Sequence, residues 1–537
     1  MRGLLLLCAL TLACGDDDHG DATVDGSTAD GSTADSSTAD GSTADADSPF
    51  PAALPWPAEL PSTDDLGARR GRILARAILH LHSPLSHDAC DGEGWVTGEG
   101  LTDAQCLEHF RDGLCRARID VAMLSDHAPH VNEVDFRQAL WIRDGDEPLP
   151  NAETPYANRI TCEGSEHRAV LTVGSENALM PLGFDRHPGD GTLDADALNA
   201  LYDADDPVAI EAFRDAGALL WMAHTESKSV DYLRSLGLDG LELYNLHADV
   251  DPRIRSEFLG DSDAGYIALL LRFGQARYAL APDLALMTFL SRQQASLDKW
   301  DALTSEGWRI AGSGGCDAHE NAFPMPLLDG ERADSYRRMM TWITNHLLVD
   351  DRSPEAAEEA LRAGRLYVVH EVLGTPVGFD FVAQDGEATF EMGEQAPLGA
   401  TLLLRRPALP EGFPSDPPPK LSLHIFRADA AGAEEVASGD GESLTFTVDR
   451  PGAYRAEIRM IPHHTRPFLR SLADRADREQ TWVYSNPIYV ALPEPPMPDP
   501  TPTSARTPAA WRRAARRIGL RPPPPPATAT AAPSLAR

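Results

Sequence analysis

Short apolar runs punctuate residues 66–372, and polar, helix-patterned stretches separate most of them. The runs are Ile78–His82, Val121–Ser125, Ala169–Ser175, Ala218–His224, Gly240–Tyr244, Trp308–Ser313 and Asn345–Val349. Each has the length and β-branched or aliphatic content of a buried strand. Between them, Thr102–Ala117 carries Leu107, Phe110 and Leu114 at helical spacing, and Pro207–Ala216 reads as a second helix. Strands alternating with helices predict an α/β architecture around a parallel sheet, either open or closed into a barrel. Residues 251–299 read as a helical insertion with apolar patches at Tyr266–Phe273 and Leu284–Leu290.

Ser353 is placed to cap a helix that runs to about Ala363, with Gly364 as its stop. After Gly374 the texture changes. Phe379–Val382, Ala388–Glu391, Thr401–Arg405, Leu421–Phe426, Ser443–Val448, Ala453–Ile458 and Trp482–Val490 alternate with Gly, Pro and Asp turns. That spacing predicts a small antiparallel β-sandwich over 375–492. Residues 493–537 are Pro- and Ala-rich, carry Arg512, Arg513, Arg516 and Arg517, and read as a disordered tail.

The first residues differ in kind. Leu4–Leu12 is apolar but too short to span a bilayer, and Ala13-Cys14-Gly15 follows. Small residues before a cysteine resemble the lipobox of bacterial lipoproteins, with Thr11 where leucine is usual. That resemblance implies a leader over 1–13, lipidation of Cys14, and a membrane-anchored protein exported to a bacterial cell envelope. Residues 14–65 contain the pentads that begin at Asp25, Asp30, Asp35 and Asp40. They offer no large apolar side chain and predict an extended acidic tether.

Of 537 residues, 42% are hydrophobic and the formal net charge is −36, which repels phosphate backbones and argues against a nucleic-acid partner. Cys90, Cys106, Cys115 and Cys162 cluster early in the globular region without a C-x-x-C pair, so a zinc ribbon is not indicated. One or two disulfides among them fit an exported protein, with the pairing left open. Cys316 reads as a packing residue.

The chemistry lies at the strand ends. Ile78-Leu-His80-Leu-His82-Ser-Pro-Leu-Ser-His87 places His80 and His82 on one side of an extended chain. The next apolar runs end in Asp126-His127, Glu176 and His224, and Asp317-Ala-His319 follows the sixth. The fifth contains Glu242, with Asn245 and His247 just beyond. In β/α barrels the strand C-termini share one face, so these imidazoles and carboxylates converge into a site suited to divalent zinc, manganese or iron.

This ordered set resembles the polymerase and histidinol phosphatase (PHP) family of metal-dependent phosphoesterases. The resemblance implies a distorted seven-stranded (β/α) barrel over 66–372 holding two or three divalent metal ions. It implies that His80, His82 and Asp317 bind one metal, that Glu176 bridges it to a second held by His224, and that His87, His127 and His319 bind a third. Many members have a further histidine soon after the bridging glutamate. Met180 falls near that place here, leaving His187, Glu242 and His247 as candidates to complete the ligands of the second metal. The Ser353–Tyr367 segment and Trp482-Val-Tyr-Ser-Asn-Pro-Ile-Tyr-Val resemble the exported carbaryl-hydrolase-like branch.

Glu176, Asp317 and His224 are the catalytic candidates, with water activated between paired metals as the nucleophile. Ser125 and Asp126 are expected to orient His127, and Arg137, Arg159, Arg168 and Arg186 are candidates for holding an anionic group. The expected reaction is hydrolysis of a small-molecule phosphoester, with a carboxylic or carbamate ester as the alternative substrate. A surface binding protein with structural metals, recognising its target through the sandwich, is the alternative from a different class.

Overall fold

The computed structural model describes residues 56–189, 193–260, 265–275, 280–429 and 432–493. Cys14, the acidic pentads and the arginine-rich tail lie outside the described residues.

The seven apolar runs overlap seven strands, the first of them only at Ile78, so that His80 and His82 lie beyond its end. The strands are β1 (Ile73–Ile78), β2 (Val121–Met123), β3 (Arg168–Gly174), β5 (Leu219–Met222), β6 (Gly240–Asn245), β7 (Ala311–Gly315) and β8 (Thr344–Val349). Strands the pattern misses include β4 (Met180–Phe184), β9 (Leu366–Val369), Glu147–Leu149 and Ala157–Thr161. Pro181 and Gly183 disguise β4 as a turn. The sixth run is displaced toward Gly312, Gly314 and Gly315, because a glycine-rich strand carries no hydrophobic signal.

Pairing is parallel for β1 with β2, β2 with β3, β5 with β6, and β6 with β7. It is antiparallel where β4 joins β3 and β5 and where β8 joins β1 and β9. Past the end of β1, Leu81 forms a parallel bridge with Ala318. His82 N–H donates to Ala318 O at 3.2 Å, and Asp317 N–H donates to His80 O at 3.2 Å. Along β1, Leu74 and Ile78 belong to one buried cluster and Ala75 and Ala77 to another. A strand buried on both faces is what a continuous apolar run encodes.

Helix α1 (Ala104–Arg116) starts where Asp103 accepts from Cys106 N–H at 2.9 Å, and it buries Leu107, Phe110 and Leu114. Disulfides Cys90–Cys106 and Cys115–Cys162 tie its two ends to the flanking chain. Residues 251–299 contain short helices, as the pattern predicts.

The C-terminal part contains antiparallel sheets. Asp380–Asp385, Ala388–Phe390, Thr401–Arg405 and Ser443–Thr447 form one of four strands. Lys420–Asp429, Gly432–Gly439, Gly452–Ile461 and Gln480–Ser485 pair antiparallel in the other. Gln480–Ser485 also pairs with β9, so this second sheet is continuous with the strands of the first part. The molecule is therefore a mixed α/β structure in which backbone hydrogen bonding runs from one part into the other.

Candidate metal centre

The chain past β1 delivers His80 and His82, both fully buried. The chain past β3 delivers Glu176, that past β5 delivers His224, and that past β7 delivers Asp317 and His319. His224 (φ 49°) and Asp317 (φ 50°) both occupy the left-handed region. Non-glycine residues hold that conformation at a cost of order 1–3 kcal/mol each, which surrounding contacts must offset.

Donor atoms fall into three groups, within each of which they lie no more than 4.8 Å apart: His80, His82, Glu176 and Asp317; His82, Asp88, His127 and His319; and His224, His247 and Asp317. His82 belongs to two groups and Asp317 to two. His80 Nε2 lies 2.8 Å from Glu176 Oε2, 3.1 Å from Asp317 Oδ1 and 3.1 Å from His82 Nε2. The other oxygen of Glu176 lies 3.1 Å from His224 Nε2, so this carboxylate reaches two groups at once. His247 Nδ1 lies 3.4 Å from Asp317 Oδ2.

The nitrogens facing away from the cluster assign the tautomers. His80 Nδ1 donates to Glu242 Oε1 at 2.7 Å. His82 Nδ1 donates to Ser86 Oγ at 3.1 Å, and that hydroxyl passes its own proton to Asp88 Oδ1 at 2.8 Å. His127 Nδ1 donates to the Glu176 carbonyl, and His319 Nδ1 to the Asp317 carbonyl at 2.9 Å. The Nε2 lone pairs of these four rings therefore point inward, toward carboxylates that are also electron-pair donors. Both Asp317 oxygens and His319 Nε2 are buried without a hydrogen-bond partner. A mixed imidazole–carboxylate set of this kind could hold a metal ion.

The electrostatics agree. Burial disfavours the charged form of His80, but the charges of Asp317, Glu176 and Glu242 outweigh it and hold the imidazole well above its ordinary range. Burial and the neighbouring His319 charge pull His82 down to about 4. Burial disfavours the Glu176 and Asp317 carboxylates, yet the surrounding histidines keep both well below the usual range. Without a metal the chain favours a proton on His80 and not on His82, and a metal that binds at His80 must displace that proton.

Gly315 shows how tightly the supporting layer is built. A Cβ there would lie 1.9 Å from Glu242 Oε1 and 3.2 Å from His80 Nδ1. The glycines that hide β7 from the sequence pattern include the one that lets Glu242 reach His80.

Several expectations change. His87 is exposed, with its ring 5.2 Å from that of His127, and lies outside the three donor groups. The next residue, Asp88, supplies the oxygen instead, 3.1 Å from His319 Nε2. Of the candidates to complete the ligands of the second metal, only His247 enters a donor group. Glu242 supports His80 from behind, and His187 bonds the Tyr202 hydroxyl at 3.0 Å and the Val134 carbonyl at 2.8 Å. Asp126 does not orient His127: it accepts from Ser83 N–H at 2.6 Å and Ser83 Oγ at 2.7 Å, fixing the turn after His82. Burial pushes Asp126 up to about 7, against those hydrogen bonds. Ser125 Oγ accepts from Leu81 N–H at 3.0 Å and lies 3.3 Å from His82 Nε2.

Arg137, Arg159, Arg168 and Arg186 bond to Ala152, Glu147, Thr161 and Asp215 respectively, none of which belongs to a donor group. Cys316 is buried with its thiol pushed up to about 12 by burial, consistent with packing. The sequence signal for Asp88 was its place in the His80–Asp88 stretch. The signals for Ser86, and for Glu226, whose Oε1 lies 3.6 Å from His224 Nδ1, are too ordinary to single out.

These positions predict a contrast. Asp88→Ala should remove one metal equivalent per chain, whereas His87→Ala should retain the wild-type stoichiometry. Elemental analysis of the purified variants reads this directly, and the opposite pattern would return His87 to the ligand set.

No protein-family model and no curated protein matches the chain. Among solved structures, it is similar to a two-domain protein from Bacteroides vulgatus containing a predicted PHP-like metal-dependent phosphoesterase. The identity is 12% and the TM-score 0.28, over 80% of this chain and 98% of that one.

Proposed function

We propose that this protein is a metal-dependent hydrolase that cleaves a phosphoester of a small molecule. The observation that carries this is the inward convergence of four imidazole lone pairs on Glu176, Asp317 and Asp88, with both Asp317 oxygens buried and unbonded. In this reading the Leu81–Ala318 bridge closes β1 to β7 into a distorted seven-stranded barrel, and the antiparallel sheets after it form a sandwich. His80, His82, Glu176 and Asp317 would hold the innermost metal; His224, His247 and Asp317 a second; His82, Asp88, His127 and His319 a third.

Bound divalent metals supply a lowered water pKa and neutralise charge that builds on the attacked group. The chain's own residues supply position. His80, His82, Glu176 and Asp317 form a buried floor. The side chains of His127, His224, His247 and Asp88 are about a quarter exposed (22%, 26%, 29% and 29%), so the substrate approaches from their side. Glu242, Ser86 and the Glu176 and Asp317 carbonyls each hold a proton on the outer nitrogen of a ring, leaving the inner nitrogen free to ligate.

The test is elemental analysis of the purified chain beside a panel of phosphomonoesters, phosphodiesters, aryl esters and aryl carbamates. Two or three metals per chain with turnover of a phosphoester is the expected result. Turnover of aryl esters or carbamates alone moves the substrate class, and a native chain that takes up no metal ends the proposal.

A further inference from the structure

We infer that the C-terminal β-unit positions the metal donors, acting through helix α2 (Gln294–Ser305) and the residues just before it. The inference rests on the metal-centre reading above.

Toward the C-terminal unit, the connection is ionic and buried. Glu457, on strand Gly452–Ile461, accepts from Arg292 through two hydrogen bonds of 2.6 and 2.7 Å. On the same strand, Arg455 donates to Asp301 of α2 at 2.8 and 2.9 Å. Glu457, Arg455 and Asp301 are all buried. Paired, planar contacts of this kind fix orientation as well as distance.

Toward the centre, the same segment makes three contacts. Gln293, 1% exposed, clamps the backbone of Asn245: Asn245 N–H donates to Gln293 Oε1 at 2.9 Å, and Gln293 Nε2 donates to Asn245 O at 2.5 Å. The Asn245 side chain then donates to Glu242 Oε2 at 2.7 Å and accepts from His247 N–H at 2.7 Å. Glu242 holds His80, and His247 is itself a donor. One turn further along α2, Lys299 Nζ donates to the carbonyls of Thr225 and Glu226, each at 2.6 Å, and so pins the loop that follows His224. Trp300 Nε1 donates to Ile310 O at 2.9 Å, directly before β7, the strand leading to Asp317.

A helix held rigidly on one side by the C-terminal unit thus sets His80, His224 and His247 on the other. Arg292, Gln293 and Lys299 are positioning residues, and the β-unit has a role in the centre whether or not it also recognises a partner.

The test uses the full-length chain, stripped of metal, titrated with Zn2+ by calorimetry. Arg292→Met cuts the tie to Glu457 together with the Arg292 contact to Gln294, Gln293→Met releases Asn245, and Lys299→Met releases the loop after His224. Each should weaken at least one bound metal by about 10–100-fold, the range for lost outer-layer contacts. Lys299→Arg, which keeps a donor at that place, should restore the affinity lost in Lys299→Met. Wild-type affinity in all three methionine variants overturns the inference while leaving the metal centre intact. Loss in Lys299→Met that Lys299→Arg does not restore also overturns the positioning role of Lys299. A wild-type chain that binds no Zn2+ overturns the metal-centre reading and this inference together.

Discussion

Glu176→Ala should leave a folded chain that has lost metal and nearly all hydrolysis. The Glu176 carboxylate reaches His80 at 2.8 Å and His82 at 3.2 Å through one oxygen and His224 at 3.1 Å through the other. No other described carboxylate connects those groups in this way except Asp317, which lies 3.1 Å from His80 and 3.6 Å from His224. Removing Glu176 therefore subtracts a ligand from one donor group and a negative charge from beside His224 in another. Metal assistance to an ester cleavage is worth several kcal/mol, so the expected fall in turnover is about 10³-fold or more. Elemental analysis and initial rates on the substrate identified by the panel check both halves. Full metal content with an unchanged rate would mean that Glu176 is an ordinary buried carboxylate.

The second large effect is on stability. Glu457 is fully buried and accepts from Arg292, Arg455 and Arg459. Burial disfavours its charge, but the Arg455 guanidinium and its fellows hold the carboxyl at about 2. Glu457→Ala strands Arg455 in the interior with Asp301 as its remaining acid. Breaking a buried pair in this way costs about 3–5 kcal/mol, a large part of a domain's stability. Urea unfolding of variant and wild type reads the difference, and a loss below about 1 kcal/mol would show that the cluster is dispensable.

The sign with pH follows from the depressed carboxyl. Its contribution is complete above the usual glutamate range near 4.5 and is lost as pH falls through the folded value near 2. Wild type should therefore lose more stability than Glu457→Ala between those limits.

Much of the site was legible along the chain because strands carry their chemistry at their ends. His80-Leu-His82, Glu176, His224 and Asp317-Ala-His319 each follow an apolar run, and parallel pairing of neighbouring runs brings such ends to one place. The exchange of His87 for Asp88 escaped because both residues lie in a loop, where a one-residue difference decides which side chain turns inward. His187 and His247 were indistinguishable as candidates for the same reason: each lies past an apolar run, and only the folded chain shows one against Tyr202 and the other against Asp317.

The sequence by itself determined the alternation of strand and helix, the change to short antiparallel strands after Gly374, and the residue types that gather at the centre. These depend on local periodicity, which the chain carries wherever it goes. Tertiary structure alone decided which atoms of those residues face one another. The tautomers of His80 and His127 are set by Glu242 and the Glu176 carbonyl, both distant in sequence, and the approach of Glu242 to His80 depends on a missing Cβ at Gly315. The contacts from Glu457 through Arg292 and from Gln293 to Asn245 join residues 165 and 48 positions apart. No local pattern encodes such pairs, because the energy that fixes them exists only once the intervening chain has packed.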